Sequence, residues 1–251
     1  EALRIARENN GLVPQHLKSR ILSPIGSPLF RSLSGKSPVM QNIRQMVQQV
    51  ATRDVAVLVL GESGTGKEVV ARNLHYYSGR GEAPFIAVNC AAINADSSGV
   101  ELFGQAAGAR MQEATTGLLE KADGGTVYFD EVGELPLSIQ TILLRFLEDK
   151  TFLRTGSAEL ISTNVKVVAG SGQNLEEKIR QGLFRKDLYY RLNLMPIELP
   201  PLRKRLDDIP ELVKELLRSL QSKGYNAISV NAAAIDAFRK HKWPGNVREL
   251  A

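Results

Sequence analysis

The chain of 251 residues contains one cysteine, Cys90, so an internal disulfide is excluded and a reducing compartment, the cytoplasm, is expected. Cys90 follows the apolar run FIAVN and is expected to be a small buried side chain. No apolar run approaches the roughly 18 residues of a membrane-crossing helix, so no membrane partner is expected. The opening stretch EALRIARENNGLVPQH is charged and has no apolar core, which argues against a signal peptide there. Internal repeats and low-complexity tracts are lacking. Charge of one sign is not segregated either: the net charge is +5, with the basic residues scattered. That permits nucleotides or nucleic acid as partners without selecting them. What is present is an ordinary globular composition, 43% hydrophobic and 24% charged. The length suits one large domain, or a domain with a small lid.

Residues 1–37 hold a short helical stretch, Glu1 to Asn9, and then the Gly, Ser and Pro of LSPIGSPLFRSLSGKSP, which read as a linker. An amphipathic helix is expected over about Pro38 to Thr52. Apolar runs then alternate with helical patterns: VAVLVL (55–60), FIAV (85–88), TVYFD (126–130) and VKVVAG (165–170). Continuous apolar strands separated by helices predict an α/β fold with a parallel sheet covered on both faces. After Pro200-Pro201 only helical patterns remain, at 207–222, 231–241 and 246–251. The expected organisation is a linker (1–37), an α/β core (38–200) and a small helical lid (201–251).

GESGTGKE (61–68) lies between the strand VAVLVL and a helical stretch. Its Gly61, Glu62, Ser63, Gly64, Thr65, Gly66, Lys67 and Glu68 complete the pattern G-x-x-x-x-G-K in the strand-loop-helix context a phosphate loop requires. Glycines let backbone N–H groups turn toward phosphate oxygens. The helix N-terminus adds partial positive charge, and Lys67 reaches the outer phosphates. Glu68 stands where Ser or Thr would ligate Mg²⁺. About 60 residues later an apolar strand ends in Asp130-Glu131. Asp130 is the candidate metal residue, and Glu131 the candidate group that polarises the attacking water.

GESGTGKEVVAR, FIAVNCAAI, ELFG, ADGGTVYFDEVGELP, FRKDLYYRLN, PLRKR and WPGNVREL occur in this order over about residues 35 to 251. Together they resemble the AAA+ domain of bacterial enhancer-binding proteins, which remodel sigma-54 RNA polymerase. The resemblance implies a P-loop NTPase with a helical lid, ATP and Mg²⁺ as cofactors, and a plausible ATPase. It also implies a homo-oligomer, from dimer to hexameric ring, and RNA polymerase as partner. DNA would be bound by a part outside this chain, which reads as a piece of a longer regulator. Glu at position 68 is usual in that family. Asn89 matches a residue that hydrogen-bonds the catalytic Glu, and Arg185 and Arg191 match arginines that reach the next subunit's nucleotide. Arg248 matches the lid arginine that senses the outer phosphate. Ser171 and Gly172 stand where the family favours Thr and then Asn or His, which implies slower hydrolysis.

LFRS (29–32) and EVVARN (68–73) resemble FleQ-type regulators, which bind cyclic di-GMP. That likeness implies a second ligand held by Arg31, Ser32, Arg72 and Asn73, with Glu215 as a further partner. Guanidinium groups suit guanine edges and phosphates. The family's surface loop, GAFTGA, is altered: Arg110, Met111, Gln112 and Glu113 follow Gly108-Ala109, and the segment is about two residues shorter. Because the lost Phe and Thr are the family's sigma-54 contacts, the expected protein does not activate sigma-54 polymerase in the usual way. A conventional sigma-54 activator and a nucleotide-gated assembly module with little hydrolysis are the alternatives.

Overall fold

The computed structural model describes residues 33–93, 98–107, 114–225 and 229–251. Helix α1 spans Pro38–Ala51. Pro38 starts it with a preset φ, and the Ser37 hydroxyl accepts from Met40 N. Its buried stripe is Met40, Ile43, Val47 and Val50. Strand β1 (Val57–Leu60) leads into α2 (Lys67–Tyr76), followed by β2 (Phe85–Asn89), α3 (Ser98–Phe103), α4 (Leu118–Lys121) and β3 (Thr126–Asp130). Then come α5 (Leu137–Asp149), the antiparallel hairpin β4–β5 (Thr151–Leu153, Leu160–Ser162) and β6 (Lys166–Ser171). Helices α6 (Leu175–Arg180) and α7 (Lys186–Leu192) and strand β7 (Pro196–Glu198) close the core.

The main sheet has the order β2-β3-β6-β1-β7, and every pairing is parallel. Alternate side chains feed two cores, as a sheet covered on both faces requires. Val127 and Phe129 pack with Leu143, Phe146 and Leu188 on one side. Tyr128 packs with Val70, Leu74 and Ile197 on the other. The four expected strands are all present. The fifth, β7, was not expected, because Pro196 interrupts the apolar pattern. As the first residue of an edge strand, a proline forfeits no ladder hydrogen bond that the sheet needs. Cys90 is buried, and burial pushes its thiol well up.

Lys166 is a buried charge with a structural answer. Its ammonium donates to the carbonyls of Val50 (3.1 Å), Ala51 (2.6 Å) and Arg53 (2.9 Å), at the end of α1 where helix carbonyls lack partners. His75 is also buried, with Nδ1 2.9 Å from the Thr126 hydroxyl. Burial lowers its pKa below the ordinary 6.5. A base held neutral in the fold takes up its proton first in the unfolded chain. Its contribution is therefore complete above pH 6.5 and is lost as pH falls below it, at up to about 1.4 kcal/mol per pH unit. Denaturant midpoints of the native chain and His75→Gln, compared at pH 7.5 and 5.5, should converge at the lower pH. A constant gap would refute this.

The lid holds α8 (Ile209–Ser222), α9 (Ala232–Lys240) and α10 (Asn246–Leu250) around Leu202, Ile209, Leu212 and Trp243. Two 3₁₀ turns, at Leu202–Lys204 and Leu206–Asp208, precede α8. Asp208 is fully buried and accepts from both the backbone N–H and the hydroxyl of Ser37, each at 2.7 Å, tying the lid to the start of α1. Among the described residues no helix is long and apolar enough to cross a membrane.

Candidate functional site

The glycine loop leaves β1 at Gly61, whose N–H donates to Ser171 O at 3.1 Å. Thr65 closes the loop internally, its hydroxyl donating to Glu62 O at 2.7 Å. Gly66, at φ +106°, caps α2. The first N–H groups of α2 lack intrahelical acceptors and so form a natural anion site. Lys67 is buried and donates to Gly61 O and to Glu131 Oε1, both at 3.0 Å. Glu131 has a left-handed backbone (φ +52°), uncommon for a side chain of its size. That turn aims its carboxylate at Lys67 and at the N–H of Gly172, which donates to Oε2 at 2.8 Å. Asp130, one residue earlier, accepts from the Tyr128 hydroxyl at 2.8 Å.

The lid docks directly on this loop. Val247 N and Arg248 N donate to Gly64 O, at 2.9 and 3.3 Å. The Arg248 guanidinium donates to the Ser63 hydroxyl at 2.8 Å. Asn246, at φ +53°, donates to Ser63 O at 2.9 Å while accepting from Leu202 N at 2.8 Å. Arg203 forms a bidentate pair with Glu62, at 2.7 and 2.6 Å. Hydrogen bonds from Arg203 and then Asn246 hold the Glu62 carboxyl down to about 2. This tie is therefore intact above the ordinary 4.5 and is lost only as pH falls toward 2. Arg205, buried between core and lid, donates to Thr65 O at 2.9 Å.

Gly64 leaves no room for a side chain against the lid. Its φ is +77°, and a Cβ there would meet Gly245 O at 2.3 Å. Gly64→Ala should push α10 off the loop and cost more than about 1 kcal/mol of stability. Emission of Trp243, the only tryptophan, and the melting temperature report both changes. An unchanged melting temperature would refute the contact.

Between loop and lid lies a cleft of about 370 Å³. Its walls include the apolar Met40, Leu199, Leu212 and Leu216 and the charged Lys67, Asp130, Glu131 and Arg248. A planar base against the apolar walls and phosphates at the glycine loop fit this lining. Among the described residues no group of three or more His, Cys, Asp or Glu could hold a metal ion. A divalent ion at this cleft would take most of its ligands from a bound phosphate and water, and Asp130 is the candidate protein carboxylate.

The structure thus brings Gly61 to Lys67, Asp130, Glu131 and Arg248 together. Glu68 lines the same cleft but is paired with Arg72 at 2.8 Å. The expected hydrogen bond between Asn89 and Glu131 is not made. Asn89 Oδ1 instead accepts from Ala91 N at 3.1 Å, capping the Cys90–Ala92 turn, while Glu131 is turned toward Lys67. Arg185 and Arg191 line no part of the cleft. Arg185 makes a bidentate pair with Asp187, at 3.0 and 2.7 Å, and Arg191 donates to Leu147 O at 3.1 Å.

Arg31 and Ser32, and the altered loop at 108–113, lie outside the described residues. Arg72 places its guanidinium 4.6 Å from the centre of the Phe85 ring. The buried Asn73 amide donates to Val69 O at 2.8 Å, which uses one of its two N–H groups. Asn73 and Glu215 both line a second cleft of about 390 Å³, with Arg44 and Tyr77. Sequence reasoning missed Arg203, Arg205 and Asn246. PLRKR and GNVREL were recognised as segments, but nothing local identifies partners more than a hundred residues away.

The family model described as "Sigma-54 interaction domain" matches residues 33–198, and that described as "AAA+ ATPase lid domain" matches residues 203–251. The DNA-binding transcriptional regulator NtrC of Bradyrhizobium sp. (strain RP501 Parasponia) is 43% identical over 237 residues, covering 93% of this chain and 49% of that protein. The Nif-specific regulatory protein of Klebsiella pneumoniae is 42% identical over 239 residues, 94% of this chain and 46% of that protein. Among solved structures, NtrX from Brucella abortus in complex with ATP superposes with a TM-score of 0.81 at 36% identity, covering 88% of this chain and 48% of that one. The chain spans about half the length of the curated relatives it matches.

Proposed function

Because this chain belongs to the sigma-54 interaction domain family and carries an AAA+ lid, we propose that it is the ATP-binding core of a transcription regulator, with ATP binding coupled to self-assembly. The observation that carries the reading is the docking of α10 on the phosphate loop, which makes the cleft a joint property of core and lid. The NtrX structure with ATP supports the choice of nucleotide.

In this reading Lys67 exchanges Glu131 for phosphate oxygens, and Glu131 becomes available to orient the attacking water. Asp130 would hold the Mg²⁺ that accompanies the nucleotide, which would supply charge neutralisation at the phosphates. Arg248, already at Ser63, senses the outer phosphate. Arg185 and Arg191 lie away from the chain's own cleft, so their proposed role is at the nucleotide of an adjacent copy in a dimer or ring. Gly172 contributes only its N–H to Glu131, which supports slow hydrolysis.

RNA polymerase is the proposed partner, and the finer part of the proposal concerns its sigma factor. With Arg110, Met111, Gln112 and Glu113 in place of the family's contacts, the chain does not open sigma-54 promoters in the usual way. Open-complex formation by the full-length regulator with sigma-54 polymerase on a linear promoter tests this. Strong ATP-dependent opening would establish the conventional activator instead and leave the ATP site untouched.

Cyclic di-GMP is the proposed effector. Its support is narrower: the second cleft gathers Asn73, Glu215 and Arg44, whereas Arg72 is not among its walls. Calorimetric titration of the chain with cyclic di-GMP should show saturable binding that Arg31→Ala weakens. No measurable binding by the native chain would remove this ligand.

A further inference from the structure

The interior of β3 is apolar except at Tyr128, and its hydroxyl has a specific address. The side chain is fully buried, on the sheet face packed against α2. Two residues further along the same strand face stands Asp130, and the hydroxyl donates to Asp130 Oδ1 at 2.8 Å. Room for that hydroxyl comes from the neighbouring strand. A Cβ built on Gly170 of β6 would lie 2.3 Å from the hydroxyl oxygen and 3.0 Å from the ring carbon bearing it. Gly170 is not among the glycines with positive φ, and it sits in a regular parallel ladder opposite Val59. Glycine weakens a strand interior, so its presence there calls for a reason such as a close approach. The Tyr128 hydroxyl supplies that reason.

We propose that Tyr128 is a positioning residue for Asp130, with Gly170 as its matched partner: the hydroxyl occupies Oδ1, fixes the carboxylate plane and leaves Oδ2 for the nucleotide's divalent ion. This rests on the ATP reading of the cleft. The terminal torsion of an aspartate is broad, so a carboxylate held by one strong donor presents its second oxygen in one orientation. An unheld carboxylate presents either oxygen over a range of angles. The expected loss therefore falls on the ion, while binding of the metal-free nucleotide is unchanged.

Tyr128→Phe removes one oxygen and no packing volume. Binding of a fluorescent ATP analogue, titrated with Mg²⁺, should need a roughly 3- to 10-fold higher Mg²⁺ concentration for half-saturation, the net worth of one ordinary hydrogen bond. Binding in EDTA should not move. An unchanged Mg²⁺ half-saturation would overturn the positioning role. A native chain that binds the analogue neither with nor without Mg²⁺ would overturn the ATP reading, and this role with it. Packing gives an independent arm. Gly170→Ala should lower the melting temperature in the native background, and at least half of that loss should disappear beside Tyr128→Phe, where ring carbons at 3.0 and 3.1 Å are the remaining neighbours. Equal losses in both backgrounds would overturn the matched pair.

Discussion

Lys67→Ala should lower ATP affinity by roughly 100-fold or more, the equivalent of about 2.7 kcal/mol. The lysine is 6% exposed and sits where loop, α2 and β3 converge. Its ammonium is the one cation that touches both the loop backbone and Glu131 among the described residues. Without it the α2 N-terminus still attracts phosphate, yet Glu131 is left facing the same phosphates unneutralised, so repulsion adds to the lost attraction. Equilibrium titration with a fluorescent ATP analogue measures the effect. Affinity within threefold of the native chain would mean that phosphates do not sit at this loop.

Glu131→Gln should separate binding from hydrolysis. The amide keeps the size and the left-handed backbone turn, but it cannot accept a proton from water. Removing a general base costs typically about 10²- to 10⁴-fold in rate. ATP affinity should be equal or tighter, because the substitution removes negative charge next to the phosphates and frees Lys67 from its 3.0 Å pair. Phosphate release under single-turnover conditions, beside a binding titration, reads both quantities. Hydrolysis within tenfold of native would assign the water-activating role elsewhere.

Much of this site was legible in the sequence because its parts are contiguous. GESGTGKE lies between a strand and a helix, and Asp130-Glu131 ends a strand, so a local pattern fixed type and place. The fifth strand was hidden by its shortness and by Pro196. The β4–β5 hairpin was hidden because three-residue strands carry too little periodicity to register. Tertiary partners were not legible. Arg203 with Glu62, and Asn246 with Ser63 and Leu202, join segments far apart in the chain. Asn89 was the converse case. The motif predicted a hydrogen bond to Glu131, but a local turn cap and the Lys67 pair take up the two groups. The Gly170 position reads as a flaw in a strand until Tyr128 is seen to need the space.

In the function proposed above, ATP binds between the phosphate loop and the lid. Thermal unfolding of the chain with and without MgATP, followed by Trp243 emission, tests it most directly. A ligand held only by the folded cleft stabilises by about 2.7 kcal/mol at a hundredfold excess over its Kd. The expected result is a concentration-dependent rise in melting temperature that Lys67→Ala eliminates. A melting temperature unmoved by millimolar MgATP, or moved equally in Lys67→Ala, would contradict it.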